Sequence, residues 1–209
     1  MEKTKANIAV LVSGGGTNLQ AIIDAEENGI IKNGKVVLVV SSNENAYALR
    51  RADNAGIDAV TVSKKACGSQ EAFEDRIIKE LEKADIDLIV LAGFMCILSS
   101  RFTSKYEKRI INVHPSLIPS FCGEGFYGLH VHEAVLAKGV KITGATVHFV
   151  NEIPDGGEII EQKPVRVRKG DTPEKLQKRV MKQAEWKILP ASVEKVSKAI
   201  ISEKKGKSK

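Results

Sequence analysis

Asn112 and His114 have the residue types and the spacing to carry out acyl transfer. They end an apolar, β-branched run at 109–113 that predicts a strand, and Pro115 follows directly. Because proline lacks a backbone N–H and biases the preceding residue away from helix, we expect the strand to end at His114. Side chains alternate along a strand, so the two polar side chains should share a face. There the amide would stabilise a developing oxyanion while the imidazole moves a proton.

A glycine-rich segment near the amino terminus is the second candidate site. Residues 13–18 read Ser-Gly-Gly-Gly-Thr-Asn and stand between a predicted strand at 8–12 and a helical stripe that begins at Leu19. Glycines at a helix start let backbone N–H groups converge on an anion, and Thr17 or Asn18 is expected to cap the helix. The segment lacks both the G-x-G-x-x-G spacing and the Lys-Ser/Thr ending of a P-loop. It therefore predicts binding of a phosphate on a small substrate, in preference to a dinucleotide or ATP.

The second predicted strand argues against an oxidoreductase. A dinucleotide-binding dehydrogenase places an acidic residue at the end of this strand to hold the ribose of its cofactor. Here the strand at 36–40 is followed by Ser-Ser-Asn, and the first acidic residue is Glu44, close to the next helix start. The sequence thus lacks both the G-x-G-x-x-G spacing and the acidic residue that a dinucleotide-binding dehydrogenase needs.

Strand and helix patterns alternate along the chain, which predicts an α/β fold with a doubly wound, mostly parallel sheet. The predicted strands are 8–12, 36–40, 59–62, 87–92, 109–113, 143–150 and 159–167, and the predicted helices include 45–55, 70–84, 132–137, 173–189 and 191–201. The last two strands flank a turn of proline and glycine, so we expect an antiparallel carboxyl-terminal extension. In such a sheet the ligand cleft lies at the carboxyl ends of the strands, where the glycine segment and His114 would meet.

Composition predicts one domain that binds small molecules. The chain of 209 residues is expected to form a domain over 1–203, followed by a basic, disordered tail at 204–209. It has no apolar run long enough for a membrane span and no signal-like start. Three widely spaced cysteines favour the reducing cytoplasm. Because the tail supplies part of the net charge of +6, the charge indicates an anionic small molecule as partner, with no nucleic acid and no membrane. The oligomeric state is not predicted.

Four motifs, in order and at matching spacing, resemble the phosphoribosylglycinamide formyltransferase family over 7–190. They are Ser13-Gly14-Gly15-Gly16-Thr17-Asn18-Leu19-Gln20, Gly93-Phe94-Met95-x-Ile97-Leu98-Ser99, Asn112-x-His114-Pro115-Ser116-Leu117, and Val147-His148-Phe149-Val150 followed by Asp155-Gly156-Gly157. The resemblance implies a Rossmann-like formyltransferase fold. It also implies transfer of the formyl group of 10-formyltetrahydrofolate, as co-substrate, to the amino group of glycinamide ribonucleotide in purine synthesis, without a metal.

The resemblance further implies roles for individual residues. Asn112 would hold the formyl oxygen, His114 would stabilise or protonate it, and Asp155 would orient His114 and help carry a proton from the attacking amine to the folate nitrogen. The residues implied to bind the ribonucleotide are Gly16, Thr17, Asn18, Lys182 and Glu185. Those implied to bind the folate are Gln70, Met95, Cys96, Ile97, Leu98, Asn112, Asn151 and Asp155.

Two positions depart from the family pattern on the side of the acidic folate tail. Cys96 stands where many relatives have arginine, and Gln70 stands where several have arginine or lysine. The tail would therefore need another basic partner, and Lys64 or Lys65 is a candidate.

Two local patterns also allow simpler interpretations. Lys182 and Glu185 share a helix face and, outside the family context, would form an exposed ion pair. His130 and His132 could begin a zinc site, but further ligands that converge with them are hard to find in the sequence. We therefore expect no metal, and exposed histidines at both positions.

Three other functions use parts of the same pattern. A hydrolase that releases formate from formyl-folate would need a similar Asn/His/Asp set, but such enzymes usually carry a regulatory domain ahead of it. A formyltransferase for methionyl-tRNA would need a further RNA-binding domain afterwards. A non-catalytic nucleotide-binding module would have no reason to gather Asn112, His114 and Asp155, so the separation of these side chains discriminates between the last class and an enzyme.

Overall fold

A single seven-stranded sheet organises the structure, a computed structural model that describes residues 4–207. Its strands are β1 (Ala6–Val12), β2 (Gly34–Ser41), β3 (Asp58–Thr61), β4 (Leu88–Leu91), β5 (Ile110–His114), β6 (Ile142–Phe149) and β7 (Ile159–Arg166). They lie in the order β3-β2-β1-β4-β5-β6-β7. Pairings from β3 to β5 are parallel, whereas β6 and β7 join antiparallel. The predicted α/β sheet with an antiparallel extension is confirmed.

Helices connect the strands and cover both faces of the sheet. They are α1 (Thr17–Glu27), α2 (Tyr47–Asn54), α3 (Lys64–Cys67), α4 (Gln70–Lys83), α5 (Ser100–Lys105), α6 (Leu129–Lys138), α7 (Pro173–Val180) and α8 (Trp186–Lys207), with a π-helical turn at Met181–Glu185. The patterns missed α3 and α5, which are short. Between residues 4 and 207, no helix is long and apolar enough to cross a membrane.

The core consists of two layers separated by the sheet. Ile8 and Val10 of β1 belong to the layer under α1 and α8, whereas Ala9 and Leu11 belong to the layer under α4. Phe73 of α4 is fully buried in that second layer. Strands that bury both faces have continuous apolar sequences, as β1 and β4 do at the centre of this sheet.

The carboxyl-terminal helices differ from the prediction at Pro190. We expected one helix to end before it and another to follow, but Pro190 lies inside α8, and α7, the π-helical turn and α8 follow one another without a break. Proline costs a helix one hydrogen bond. Ile188, Leu189 and Val193 are buried on either side of it, and this packing outweighs the local cost.

The predicted disordered tail is also partly wrong. Helix α8 continues through Lys207, so 204–207 are helical, while 208 and 209 lie outside the described residues. Two ion pairs hold the end of the helix, one between Lys204 and Asp87 and one between Arg109 and Glu203.

Candidate active site

The structure brings Asn112, His114 and Asp155 together at the end of β5. Antiparallel pairing sets Asn112 opposite His148 of β6, and Asp155 lies in the turn that follows β6. The His114 Nδ1 atom is 3.3 Å from Asp155 Oδ2, and the Asn112 amide donates to Asp155 Oδ1 at 3.5 Å. Asp155 has a positive φ of 56°, a backbone conformation uncommon outside glycine. The three side chains therefore meet within contact distance, although 41 residues separate His114 from Asp155.

His148 is a fourth polar group in this cluster. Its Nε2 atom lies 3.4 Å from Asp155 Oδ1 and 3.3 Å from the Asn112 amide nitrogen. Its Nδ1 atom lies 2.7 Å from the carbonyl of Phe149, which can only accept, so Nδ1 donates a hydrogen bond to that carbonyl. Both contacts of the Asn112 amide are long, which leaves the amide able to turn towards a stronger acceptor.

The loop after β5 supplies two main-chain contacts that the sequence did not reveal. The Phe121 carbonyl accepts a hydrogen bond from His114 Nε2 at 2.8 Å, and the Gly123 N–H donates to Asp155 Oδ2 at 2.9 Å. Residues 120–128 are rich in glycine and aromatic residues, a composition typical of a loop. Side-chain types carry no information about which backbone groups face inward, so these two contacts depend on the folded path of the loop.

Burial and charge act in opposite directions on the two titratable partners. Burial lowers the pKa of His114, against the opposing effects of the Asp155 charge and the Phe121 carbonyl. Burial would raise the pKa of Asp155, but hydrogen bonding to His148, the neighbouring His114 and the Gly123 N–H lower it below its usual range. The site thus pairs a carboxylate whose ionised form its neighbours favour with an imidazole whose protonation burial opposes, and such a pair can exchange a proton.

The glycine segment forms the start of α1, with a different cap from the one expected. Gly16 is the N-cap and makes no side-chain cap, so the prediction of capping by Thr17 or Asn18 is wrong. Both residues lie in the first helical turn, where backbone N–H groups have no partner inside the helix. A Cβ on Gly14 or Gly15 would meet nothing within 4 Å, so this side of the segment faces open space. Backbone N–H groups at such a helix start can bind an anion, so phosphate binding stays a prediction for this segment.

Gly16 is required by packing as well as by its backbone conformation. Its φ is 70°, and a Cβ built on it would lie 2.7 Å from the Cβ of Ala48 on α2. A side chain at position 16 would therefore displace α2.

Glu185 reaches the glycine segment from the π-helical turn. Its side chain is buried, and Oε2 accepts a hydrogen bond of 2.8 Å from the Asn18 amide. Burial raises the pKa of Glu185 to about 7, and the bond from Asn18 only partly opposes this shift. Lys182, on the same turn, is exposed. The alternative of an exposed Lys182–Glu185 ion pair is wrong, because the carboxyl group lies inside and bonds to Asn18.

Two cavities adjoin Asn112 and Asp155. A small one of about 110 Å³ is lined by residues that include Cys96, Ile97, Leu98 and Asn151. A larger one of about 750 Å³ lies between Met95 and its neighbours on one side and 123–128 on the other. Of the residues implied to bind folate, only Gln70 lines neither cavity, and its amide donates to Glu74 and to the Ile97 carbonyl.

The remaining histidines do not form a metal site in the described part of the chain. His130 is exposed and stacks on Tyr127 with ring centroids 4.9 Å apart. His132 is fully buried, so the expectation that both would be exposed is wrong for His132. Burial, followed by the charge of His114, lowers the pKa of His132 to about 4. Within 4–207, no group of three or more His, Cys, Asp or Glu side chains could hold a metal ion, and the three cysteines are unpaired.

Comparison with known proteins identifies a family for this chain. Residues 6–193 match the formyl transferase family. The chain is 44% identical over 177 residues to phosphoribosylglycinamide formyltransferase of Escherichia coli, covering 85% of this chain and 81% of that protein. The crystal structure of glycinamide ribonucleotide transformylase 1 from Symbiobacterium toebii superimposes with a TM-score of 0.87 and 39% identity, over 94% of this chain and 89% of that one.

A larger relative matches over a small part of its own length. The trifunctional purine biosynthetic protein adenosine-3 of Gallus gallus is 42% identical over 201 residues, which is 96% of this chain and 19% of that protein. The chain thus spans about a fifth of this relative and most of the bacterial one. On the fold, the site and these likenesses together, the chain belongs to the phosphoribosylglycinamide formyltransferase family.

Proposed function

We propose that this protein transfers the formyl group of 10-formyltetrahydrofolate to the amino group of 5'-phosphoribosylglycinamide, a step of de novo purine synthesis. The observation that carries the proposal is the cluster of Asn112, His114 and Asp155 beside two cavities, in a chain of this family. An amide, an imidazole and a carboxylate within 3.3–3.5 Å suit direct acyl transfer between two bound substrates.

In the proposed reaction the substrate amine attacks the formyl carbon directly. The new C–N bond forms as the carbonyl electrons move to oxygen, and the Asn112 amide donates a hydrogen bond to this oxyanion. Asp155 accepts the proton that the amine loses, directly or through a water, and His114 Nδ1, 3.3 Å from the carboxylate, is placed to share that proton. Collapse of the intermediate re-forms the carbonyl, breaks the bond to the folate nitrogen and delivers the proton to that nitrogen. No covalent bond to the protein is needed, and no metal enters the scheme.

The ribonucleotide would bind across the start of α1. Backbone N–H groups at Gly16, Thr17 and Asn18 suit its phosphate, and Lys182 adds a positive charge. The carboxyl group of Glu185 suits the ribose hydroxyls, because it accepts hydrogen bonds when ionised and donates one when protonated. Its elevated pKa near 7 makes both forms accessible.

The formyl donor would occupy the cavities along 93–98. The backbone of Met95, Cys96, Ile97 and Leu98 and the turn that contains Asn151 offer hydrogen bonds and apolar walls to a flat ring. The cytoplasm remains the predicted location.

The strongest alternative is hydrolysis of the same folate to formate. The anion-binding start of α1 and its bond to Glu185 favour a phosphorylated acceptor over water. A non-catalytic nucleotide-binding module is disfavoured by the close contact of His114 with Asp155.

The decisive experiment supplies both substrates to the purified protein. With 10-formyltetrahydrofolate alone we expect little formate release, and with added phosphoribosylglycinamide we expect formylated ribonucleotide in a 1:1 ratio to folate consumed. EDTA should leave the rate unchanged. Formate release that does not respond to the ribonucleotide would overturn the transferase assignment in favour of a hydrolase, and the absence of any folate turnover would favour a binding module.

A further inference from the structure

The segment 93–99, here named the donor loop, connects β4 to α5 and lines both cavities. Its first half is fastened to the glycine segment, because Ser13 N–H donates to the Gly93 carbonyl at 3.1 Å and Met95 N–H donates to Ser13 Oγ at 2.9 Å. Met95 and Ile97, in the middle of the donor loop, expose 55% and 71% of their surface. Such exposed apolar side chains would favour collapse or disorder of a free loop, so the backbone needs a second attachment.

Glu74 of α4 supplies this attachment at the far end of the donor loop. Its carboxylate is 1% exposed. The Ser99 N–H donates to Oε1 at 2.7 Å, and the Ser99 hydroxyl donates to Oε2 at 2.5 Å. Ser99 also caps α5 by accepting from the Phe102 N–H, so Glu74 fixes the point where the donor loop becomes helix.

Gln70 extends the same attachment into the middle of the donor loop. Its amide nitrogen donates to Glu74 Oε1 at 2.6 Å and to the Ile97 carbonyl at 3.0 Å. The adjacent cation, Arg101, is 3.7 Å from Glu74 Oε2 and is paired with Asp75 at 2.8 Å. Its two hydrogen bonds turn the Gln70 amide towards the protein, and one of them holds the Ile97 carbonyl.

Burial alone would raise the pKa of Glu74, but the bonds from Ser99 and Gln70 and the charge of Arg101 lower it below its usual range. The group is thus a buried carboxylate satisfied by the donor loop. Removing it would leave the Ser99 N–H and the Gln70 amide without their acceptor, which costs more than an exposed hydrogen bond would.

We propose that Glu74 is a positioning residue for the formyl donor: through Ser99 and Gln70 it holds the donor loop, before any ligand arrives, in the conformation that lines the donor cavities. Gln70 then serves this attachment and does not contact the folate tail. The proposal rests on the proposed function for the identity of the ligand. A loop ordered in advance binds more tightly because its ordering entropy is not lost on binding.

The test compares Glu74→Ala with Glu74→Gln and a control on the same helix. We expect Glu74→Ala to raise the KM for 10-formyltetrahydrofolate about tenfold or more with a much smaller change in kcat, and to leave the Kd for phosphoribosylglycinamide unchanged. Glu74→Gln should have a smaller effect, because its carbonyl can still accept from the Ser99 N–H. Glu80→Ala removes a partly buried ion pair with Arg76 on α4 and should leave the KM for the formyl donor and the Kd for the ribonucleotide unchanged.

Hydrogen exchange of the ligand-free protein gives a readout that does not need catalysis. Amides of 93–99 should exchange faster in both Glu74 variants, while those of β1 and β5 keep their protection. If the wild-type protein fails to transfer formyl groups but this exchange pattern appears, the proposed function fails and the attachment stands. Unchanged exchange, or an equal rise in KM for both substrates, would overturn the attachment. If Glu74→Ala does not fold, Glu74→Gln and Gln70→Ala are tested in its place. Wild-type folate binding by both of these variants would then contradict the proposed role of Glu74.

Discussion

Replacing Asp155 by asparagine removes a charge from the centre of the site and almost no volume. The carboxylate lies 3.3 Å from His114 Nδ1, and two unit charges at this distance interact by about 5 kcal/mol at an effective dielectric constant near 20. Desolvation offsets part of this attraction, so we take about 3 to 5 kcal/mol as the transition-state stabilisation that the variant loses. Asparagine also cannot accept the amine proton. Together these effects predict a fall in kcat of about 10² to 10⁴.

The assay is steady-state formyl transfer with each substrate varied in turn. The Asp155→Asn protein should keep the KM for the ribonucleotide within about threefold, since the glycine segment is untouched. Thermal unfolding should show that it is folded. Asp58→Asn, a change of the same chemistry at an exposed position on β3, should retain full turnover.

The variant's pH profile adds a second check. Because the pKa of Asp155 lies below its usual range, its protonation should reduce wild-type turnover only in acid, and that acidic limb should be lost from the residual activity of Asp155→Asn. A folded Asp155→Asn protein that turns over within about tenfold of wild type would refute the proposed proton relay.

Three further outcomes follow from groups outside the relay. Glu185 has a folded pKa of about 7, above its unfolded value. Its contribution of roughly 3 kcal/mol to stability is therefore present in acid and lost as pH rises from 4.5 through 7. In denaturant titrations, Glu185→Gln should flatten this part of the curve of stability against pH. His132 has a folded pKa of about 4, below its unfolded value, so stability falls as pH drops from 6.5 to 4. His132→Leu should reduce that loss, and a loss as large as that of the wild type would contradict the assignment. Gly16→Val should destabilise the protein by about 1–3 kcal/mol through the clash with Ala48, whereas Gly15→Ala should unfold at the wild-type denaturant concentration.

The order of strands and helices along the chain could be predicted because short-range rules decide it. Apolar runs at 8–12 and 87–92 predicted buried strands, and both lie at the centre of the sheet. The alternation of side chains along a strand predicted that Asn112 and His114 share a face, and both contact Asp155 in the structure. The motif spacing that indicated the family is likewise a property of the sequence.

Local rules fail where packing between distant segments outweighs them. Pro190 should end a helix, yet buried neighbours keep α8 intact around it. His132 has a polar ring that favours solvent, yet α6 presents it to the core. Gln70 is a polar residue at a helix start, and only the tertiary structure turns its amide towards Glu74 and the Ile97 carbonyl.

The sequence by itself determined the strand that carries Asn112 and His114, the glycine segment before α1 and the family to which the chain belongs. The sequence implied the pairing of Asp155 with His114 only through the family resemblance, and the tertiary structure produces the contact through the register in which Asn112 of β5 pairs with His148 of β6. Register is a relation between two segments, set by the packing of both faces of the sheet, and no single stretch of residues specifies it. The same reason applies to Phe121 and Gly123, whose backbone groups complete the site from a loop that the fold lays across it.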